Sequence, residues 1–205
     1  MIVLVVVPHP DDETLGAGGS IRKHIIGGDT VYVVFVTLGE KCYYAHGLGP
    51  IPFDFVASLR REEALEAMRI LGVPAGNIYF LGFPDMEVMY RIDELVGVFR
   101  RLIASLKPNI IYCPHIEDGH RDHRATCIAL KQALSIMDLE NVLVRYYMIW
   151  GETPEGATAC ELSEDIVSVK RKALMAYSSQ IKLLGEEFFI RFASKHEYFV
   201  EEKYD

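Results

Sequence analysis

Apolar positions along the chain fall into two alternating patterns. Short, nearly unbroken runs of β-branched and other apolar residues occupy 2–7, 30–37, 77–81, 109–113 and 142–150. Between them, 14–26, 55–71, 92–106 and 122–137 carry apolar residues at helical spacing. A continuous apolar run reads as a parallel strand buried on both faces, and regular strand–helix alternation is the signature of an α/β protein. Gly27-Gly28 and Gly72 close two of the helices and Pro108 stops a third. The remaining chain predicts a turn, a helix over 164–177, a second helix to about 193 and a short strand around Tyr198, whose place in the sheet the pattern leaves open. Segment 38–54, with Gly39, Gly47, Gly49, Pro50 and Pro52, is too long for an ordinary connector and reads as a flap over a substrate.

The expected architecture is a three-layer Rossmann-like sandwich: a mostly parallel central sheet with helices on both faces, in one domain spanning residues 1–205. Net charge −8 and interleaved charges such as Arg60-Arg61-Glu62-Glu63 argue against a nucleic-acid partner, which needs clustered cations. Cys42, Cys113, Cys127 and Cys160 are scattered without a C-x-x-C pair, so they give neither a zinc ribbon nor a disulfide framework and read as reduced thiols. No stretch approaches the roughly 20 apolar residues of a membrane span, and the expectation is a cytoplasmic protein with no membrane partner.

Chemistry concentrates at two strand ends. Pro8-His9-Pro10-Asp11-Asp12-Glu13 follows the first strand and precedes Gly16-Ala17-Gly18-Gly19. His115, Glu117, Asp118, His120, Asp122 and His123 follow the strand at 109–113. The carboxyl edge of an open α/β sheet is where ligands bind, so if these strands are neighbours the two clusters share one crevice. His9 and Asp12, three apart in a stretch entering a helix, can face one point, while Asp11 projects to one side. A histidine of the second cluster, either His120 or His123, would complete two nitrogens and a carboxylate, the donor set of a catalytic zinc. Singly, each strand-end aspartate is as readily a helix N-cap; the joint occurrence of the clusters raises them above that reading. His24 and His115 read as ordinary histidines, and the pattern assigns nothing to His46 or His196.

These two motifs, with Gly119-His120-Arg121-Asp122-His123-Arg124 as the second, resemble the LmbE/PIG-L family of zinc-dependent N-acetylglucosaminyl deacetylases. Lesser blocks are similar as well: Thr37-x-Gly39-Glu40, Arg60-x-x-Glu63, Asp85, Lys172-Ala173-Leu174-x-x-Tyr177-x-Ser179-Gln180 and Glu197-x-Phe199. The family's usual His-Pro-Asp-His is here His-Arg-Asp-His. The resemblance implies one Zn2+ per chain held by His9, Asp12 and His123, with Asp11 as general base and a protonated His120 as second acid/base or oxyanion stabiliser. It also implies substrate contacts at Arg60, Asp85 and His196, the last in some members reaching a neighbouring subunit, and it allows a homo-oligomer, trimer or hexamer. Tyr43 and Tyr44 of the flap are expected to stack on a pyranose ring.

The implied reaction is hydrolysis of the acetamide of an N-acetylglucosamine-type substrate, a small-molecule sugar or glycoconjugate, by metal-activated water with Asp11 taking its proton. The competing readings are a metal-dependent hydrolase of another small amide or ester, a phosphoesterase, and a non-catalytic metal- or sugar-binding module. A dinucleotide-binding oxidoreductase is disfavoured because Ile21 stands where G-x-G-x-x-G needs its third glycine. Two imidazoles and a carboxylate suit several divalent ions, iron and cobalt among them.

Overall fold

The computed structural model describes residues 1–205. In chain order the elements are β1 (Ile2–Val7), α1 (Asp12–Ile26), β2 (Thr30–Phe35), α2 (Cys42–Ala45), α3 (Phe53–Leu71), β3 (Ile78–Phe80), α4 (Ile92–Leu106) and β4 (Ile110–Pro114). There follow α5 (Arg121–Ser135), β5 (Val142–Tyr147), β6 (Thr158–Glu161), α6 (Glu164–Leu174), α7 (Ser178–Leu184), α8 (Glu186–Ile190) and β7 (His196–Tyr204). The sheet order is β3-β2-β1-β4-β5-β7-β6. The first five strands are parallel; β7 runs antiparallel to both β5 and β6.

One apolar core lies on each face of the sheet. Val3, Val5 and Val7 of β1 point into the core shared with α1, α3, α6 and the C-terminal helices, where Ile21, Met68, Leu71, Leu174 and Phe189 are buried. Leu4 and Val6 point the other way, into the core closed by α4 and α5 with Leu95, Phe99, Ile103 and Leu130. The period-2 alternation of strand side chains therefore divides a uniformly apolar run between two layers of helices. No helix is long and apolar enough to cross a membrane.

The order of the parallel strands positions the site. From β1 the chain winds outward through β2 to β3, then crosses back to lay β4 on the other side of β1. The reversal between β1 and β4 opens a crevice at their carboxyl ends, and both histidine–carboxylate clusters leave from there.

The C-terminal strand β7 locks α1 in place from behind. Glu197 accepts from the Gly19 amide at 2.7 Å, the Ser20 amide at 2.8 Å and Ser20 Oγ at 2.6 Å. Lys170 of α6 donates to Glu197 at 2.7 Å and to the Leu15 carbonyl at 3.0 Å. Leu15 O and Gly19 N are the groups one helical turn joins, so the buried pair reaches into the backbone of the helix that follows the first motif. Gly19 must lack a side chain there: a Cβ would lie 2.2 Å from Leu162 Cδ1 and 3.1 Å from Glu197 Oε1. Glu197→Ala would strand the Lys170 ammonium, 1% exposed, without its partner. The expected loss is about 3–5 kcal/mol of unfolding free energy, read by urea titration; a loss below about 1 kcal/mol, the range of exposed pairs, would contradict this placement.

Four differences from the sequence pattern have physical causes. β6, Thr-Ala-Cys-Glu, is a short, mostly exposed edge strand with no apolar run to announce it. The terminal strand extends over His196–Tyr204 because it pairs on both sides, with β5 and β6. The expected last helix is two, α7 and α8, separated at Gly185, which adopts φ 88°. β5 ends at Tyr147, which frees Met148, Ile149 and Trp150 to form a loop beside the crevice.

Candidate active site

Asp11 caps α1 from a left-handed backbone conformation, φ 121°, ψ −34°, unusual for a residue with a Cβ. Its own carbonyl accepts the Thr14 and Leu15 amides at 3.0 and 2.9 Å, so the turn is fixed from inside the helix. Backbone strain of this kind costs on the order of 1–3 kcal/mol and persists only where surrounding contacts hold it. Here Glu13 holds it: fully buried, Glu13 accepts from the Asp11 amide at 3.1 Å and from Thr14 Oγ1 at 2.6 Å, and is hydrogen-bonded by Tyr177 of the α6–α7 turn.

Asp12 stands between two imidazoles. Its Oδ2 lies 3.2 Å from His9 Nδ1 and 3.1 Å from His123 Nε2, and also accepts the His9 amide at 3.0 Å. The other nitrogen of His9 faces Asp85 Oδ1 at 3.2 Å and Asp122 Oδ2 at 3.4 Å. His123 Nδ1 faces Asp118 Oδ1 at 3.1 Å. Asp118 is itself pinned by the amides of His120, Ile149 and Trp150 at 2.9, 2.8 and 3.2 Å. A carboxylate behind a histidine ring fixes its orientation and directs the opposite nitrogen forward, the arrangement found behind metal-ligating histidines.

Charge makes the cluster unusual. Asp11, Asp12, Asp85, Asp118 and Asp122 are buried, and Arg60 is the buried arginine among them. Burial disfavours a charged imidazole, but Asp12, Asp122 and Asp85 outweigh it and hold His9 well above the usual histidine range. Burial is likewise outweighed at His123 by Asp12 and Asp118, which push it up to about 9. Against its own burial, Asp12 is held well below the usual carboxylate range by His123 and His9. Asp11 goes the other way: burial, reinforced by Asp12 and Glu13 and opposed by Arg60, pushes its carboxyl up to about 8. A site that holds protons to offset clustered carboxylates is one in which a divalent cation would take their place.

The donor chemistry fits such an ion. His123 is fully buried, yet neither ring nitrogen completes a hydrogen bond, although each lies 3.1 Å from a carboxylate oxygen. Imidazole nitrogens and carboxylate oxygens are the donors of zinc and of neighbouring divalent ions. Besides the three-residue arrangement around Asp12, His9, His120 and His123 form a group with donor atoms within 4.8 Å of one another, and so do His9, Asp85 and Asp122.

Arg60 and Asp85, expected at substrate hydroxyls, line the same crevice but are engaged with the protein. Arg60 Nη2 lies 3.2 Å from Asp11 Oδ2 and donates to the Pro10 carbonyl, and Nη1 donates to the Gly39 carbonyl at 3.1 Å. A Cβ at Gly39, φ 61°, would lie 1.8 Å from Arg60 Nη1, which accounts for the glycine at the start of the flap. Asp85 Oδ2 accepts the Lys41 amide at 2.9 Å. His120 also lines the crevice, its ring edge-on to that of His9 at 4.7 Å between centroids.

Two expected substrate contacts lie elsewhere. Tyr43 sits on α2 with its hydroxyl 3.5 Å from the Ser179 carbonyl, and it does not line the crevice. His196 opens β7, exposed and against the Tyr198 ring, outside the crevice. The flap instead contributes Lys41, Cys42, Ala45 and His46 to the crevice wall. Trp150 and Phe188, stacked at 4.7 Å and 27°, line it as well. Trp150 had one sequence signal, being the chain's single tryptophan; Phe188 had none, because its partner lies in a distant loop.

Fold and site together define an α/β protein with an imidazole–carboxylate centre at the switch point of its sheet. Residues 4–134 match the family model for PIG-L, GlcNAc-PI de-N-acetylase, and the chain belongs to that family. It is 28% identical over 203 residues to a probable N-acetyl-alpha-D-glucosaminyl L-malate deacetylase 2 of Bacillus cereus, covering 94% of this chain and 90% of the relative. It is 30% identical over 195 residues to the diacetylchitobiose deacetylase of Thermococcus kodakarensis, covering 87% and 69%. The crystal structure of N,N'-diacetylchitobiose deacetylase from Pyrococcus horikoshii with an inhibitor superposes with a TM-score of 0.79 at 24% identity, covering 98% of this chain and 83% of that one.

Proposed function

We propose that this chain is a divalent-cation-dependent hydrolase that removes the acetyl group from an N-acetylglucosamine-type substrate, giving acetate and a free amine. The observation that carries the reading is Asp12 Oδ2 placed 3.2 and 3.1 Å from His9 and His123, with Asp11, the preceding residue, lining the same crevice. The names of the relatives support the substrate class.

His9, Asp12 and His123 would hold the ion, with Asp118 orienting His123 from behind. A bound divalent cation supplies Lewis acidity toward the acyl oxygen and lowers the pKa of water. The protein does the rest. Asp11 takes the proton of the attacking water and returns it to the departing amine, a task that suits a carboxyl pushed up toward neutrality. Arg60 anchors Asp11 and opposes that upward shift, so the base remains able to ionise.

His120 acts as a neutral donor. Its Nδ1 accepts the Asp122 amide at 3.2 Å, so the neutral ring carries its hydrogen on Nε2. Burial, with His9 and His123 beside it, pushes His120 down to about 3, which favours the neutral ring. A preorganised N–H directed at a developing oxyanion needs no formal charge, and removing one such donor typically costs about 3 kcal/mol in the transition state.

The test is acetate release from a panel containing N-acetylglucosamine, diacetylchitobiose and an N-acetylglucosaminyl malate, with phosphate release from a phosphomonoester assayed in parallel. Acetate from at least one sugar, abolished by chelation and restored by added divalent metal, is expected, with no phosphate. Acetate from none, or release indifferent to chelation, would contradict the proposal. Light scattering separates a monomer from the trimer or hexamer that the family resemblance allows.

A further inference from the structure

Arg121 occupies the spacer between His120 and Asp122 and is the first residue of α5. Proline is favoured at that first helical position because its ring presets φ and it lacks an N–H that would go unused. An arginine there forgoes that preorganisation and brings a cation to the crevice wall. Arg121 makes no ion pair; its neighbour is Tyr90, whose ring centre lies 5.3 Å from the guanidinium and whose hydroxyl accepts from it, so no carboxylate offsets the charge. The adjacent carboxylate turns inward, Asp122 Oδ2 accepting the Met86 amide at 2.7 Å and lying 3.4 Å from His9 Nε2. The other two cations of the lining are paired, Lys41 with Glu87 at 2.7 Å and Arg60 with Asp11 at 3.2 Å.

His9, Asp11, Asp12, Arg60 and Asp85 share the crevice lining with Arg121, whose guanidinium no carboxylate pairs. A neutral sugar gains little from a guanidinium, whereas a carboxylate or phosphate can accept two parallel, charge-assisted hydrogen bonds from it. An anionic substituent on the sugar would be drawn to Arg121, leaving the acetamide end free to face Asp11. We propose that Arg121 is a specificity-determining residue selecting N-acetylated sugars whose attached group carries an anion. This inference rests on the deacetylase reading for its substrate class.

Three α-glycosides of N-acetylglucosamine test it: methyl, carboxymethyl and 2-phosphoethyl. For the holoenzyme, kcat/KM for at least one anionic glycoside should exceed that for the methyl glycoside by about tenfold or more, as one hydrogen bond to a charged group allows. The better of the two anionic glycosides identifies carboxylate or phosphate as the preferred group. In Arg121→Gln that ratio should fall to about one, and Arg121→Lys should restore part of it. Trp150, the single tryptophan, lines the same crevice, so its fluorescence reads binding of the corresponding free-amine glycosides without turnover. A wild-type ratio near one, or a ratio unmoved by Arg121→Gln, overturns the proposal even when acetate is released. An Arg121-dependent ratio of dissociation constants with no acetate from any glycoside leaves the anion preference standing and removes the deacetylase reading.

Discussion

Asp11→Asn is expected to lower kcat for acetate release by about 10²–10⁴-fold while leaving bound metal at the wild-type level. The amide keeps the size of the side chain but cannot take a proton from water. Two outcomes of the geometry make this the sharpest substitution. Asp11 meets Arg60 at 3.2 Å and makes no hydrogen bond to the imidazoles that flank Asp12, so its loss leaves the donor set intact. It also sits in a strained conformation, φ 121°, that Glu13, Thr14 and Tyr177 hold from behind, which fixes the carboxyl relative to that donor set. Elemental analysis beside steady-state kinetics separates base from ligand. A variant with full activity, or one that loses its metal, would remove Asp11 from the role assigned to it.

The second large effect concerns the ion itself. Asp12→Ala and His123→Ala should each weaken metal binding by more than the roughly 10–100-fold typical of residues that only orient a ligand, and activity should fall to background. His120→Ala should keep the metal and lose turnover instead. The contrast matters because His9, His120 and His123 bring their nitrogens within 4.8 Å of one another, a trio that could hold an ion without Asp12. Metal content measured for the three variants distinguishes the arrangements: a metal-free His120→Ala with a metal-replete Asp12→Ala would select the all-histidine set. Asp118→Asn makes an intermediate case. It leaves every direct donor in place but weakens the carboxylate behind His123 Nδ1, and the expected drop in affinity is about 10–100-fold.

Much of this was legible from residue order. Six consecutive apolar residues at 2–7 could only be a buried strand, and β1 has those bounds. The helix at 92–106 was equally plain, bounded by a charged first turn and Pro108. The meeting of His9 and Asp12 with His120 and His123 followed from placing β1 beside β4, which the parallel pairing of Val3 with Ile110 realises. What sequence spacing could not supply was the direction of side chains after sharp turns. Glu117 and Asp118 are adjacent carboxylates, yet only the fold turns Asp118 to the His123 ring and to the Ile149 and Trp150 amides. The roles of Glu13 and Tyr177, 164 residues apart, likewise exist only after α6 has packed across α1.

The flap shows the same limit from the other side. Its length and its tyrosines suggested a lid that stacks on sugar, but a four-residue helix, α2, turns Tyr43 toward Ser179 and Tyr44 toward Phe53. The residues of that segment that reach the crevice are the less conspicuous Lys41, Cys42, Ala45 and His46. His196, which the resemblance placed near substrate, belongs to the antiparallel strand whose next residue, Glu197, braces α1.

The measurement closest to the central claim is an anomalous difference map from crystals of the protein grown with zinc and collected at the zinc absorption edge. The account predicts one strong peak at bonding distance from His9, Asp12 and His123, with Asp11 and His120 close by but unbonded to it. A peak bonded to His120 in place of Asp12, or no peak in the crevice while the enzyme is active, would contradict it.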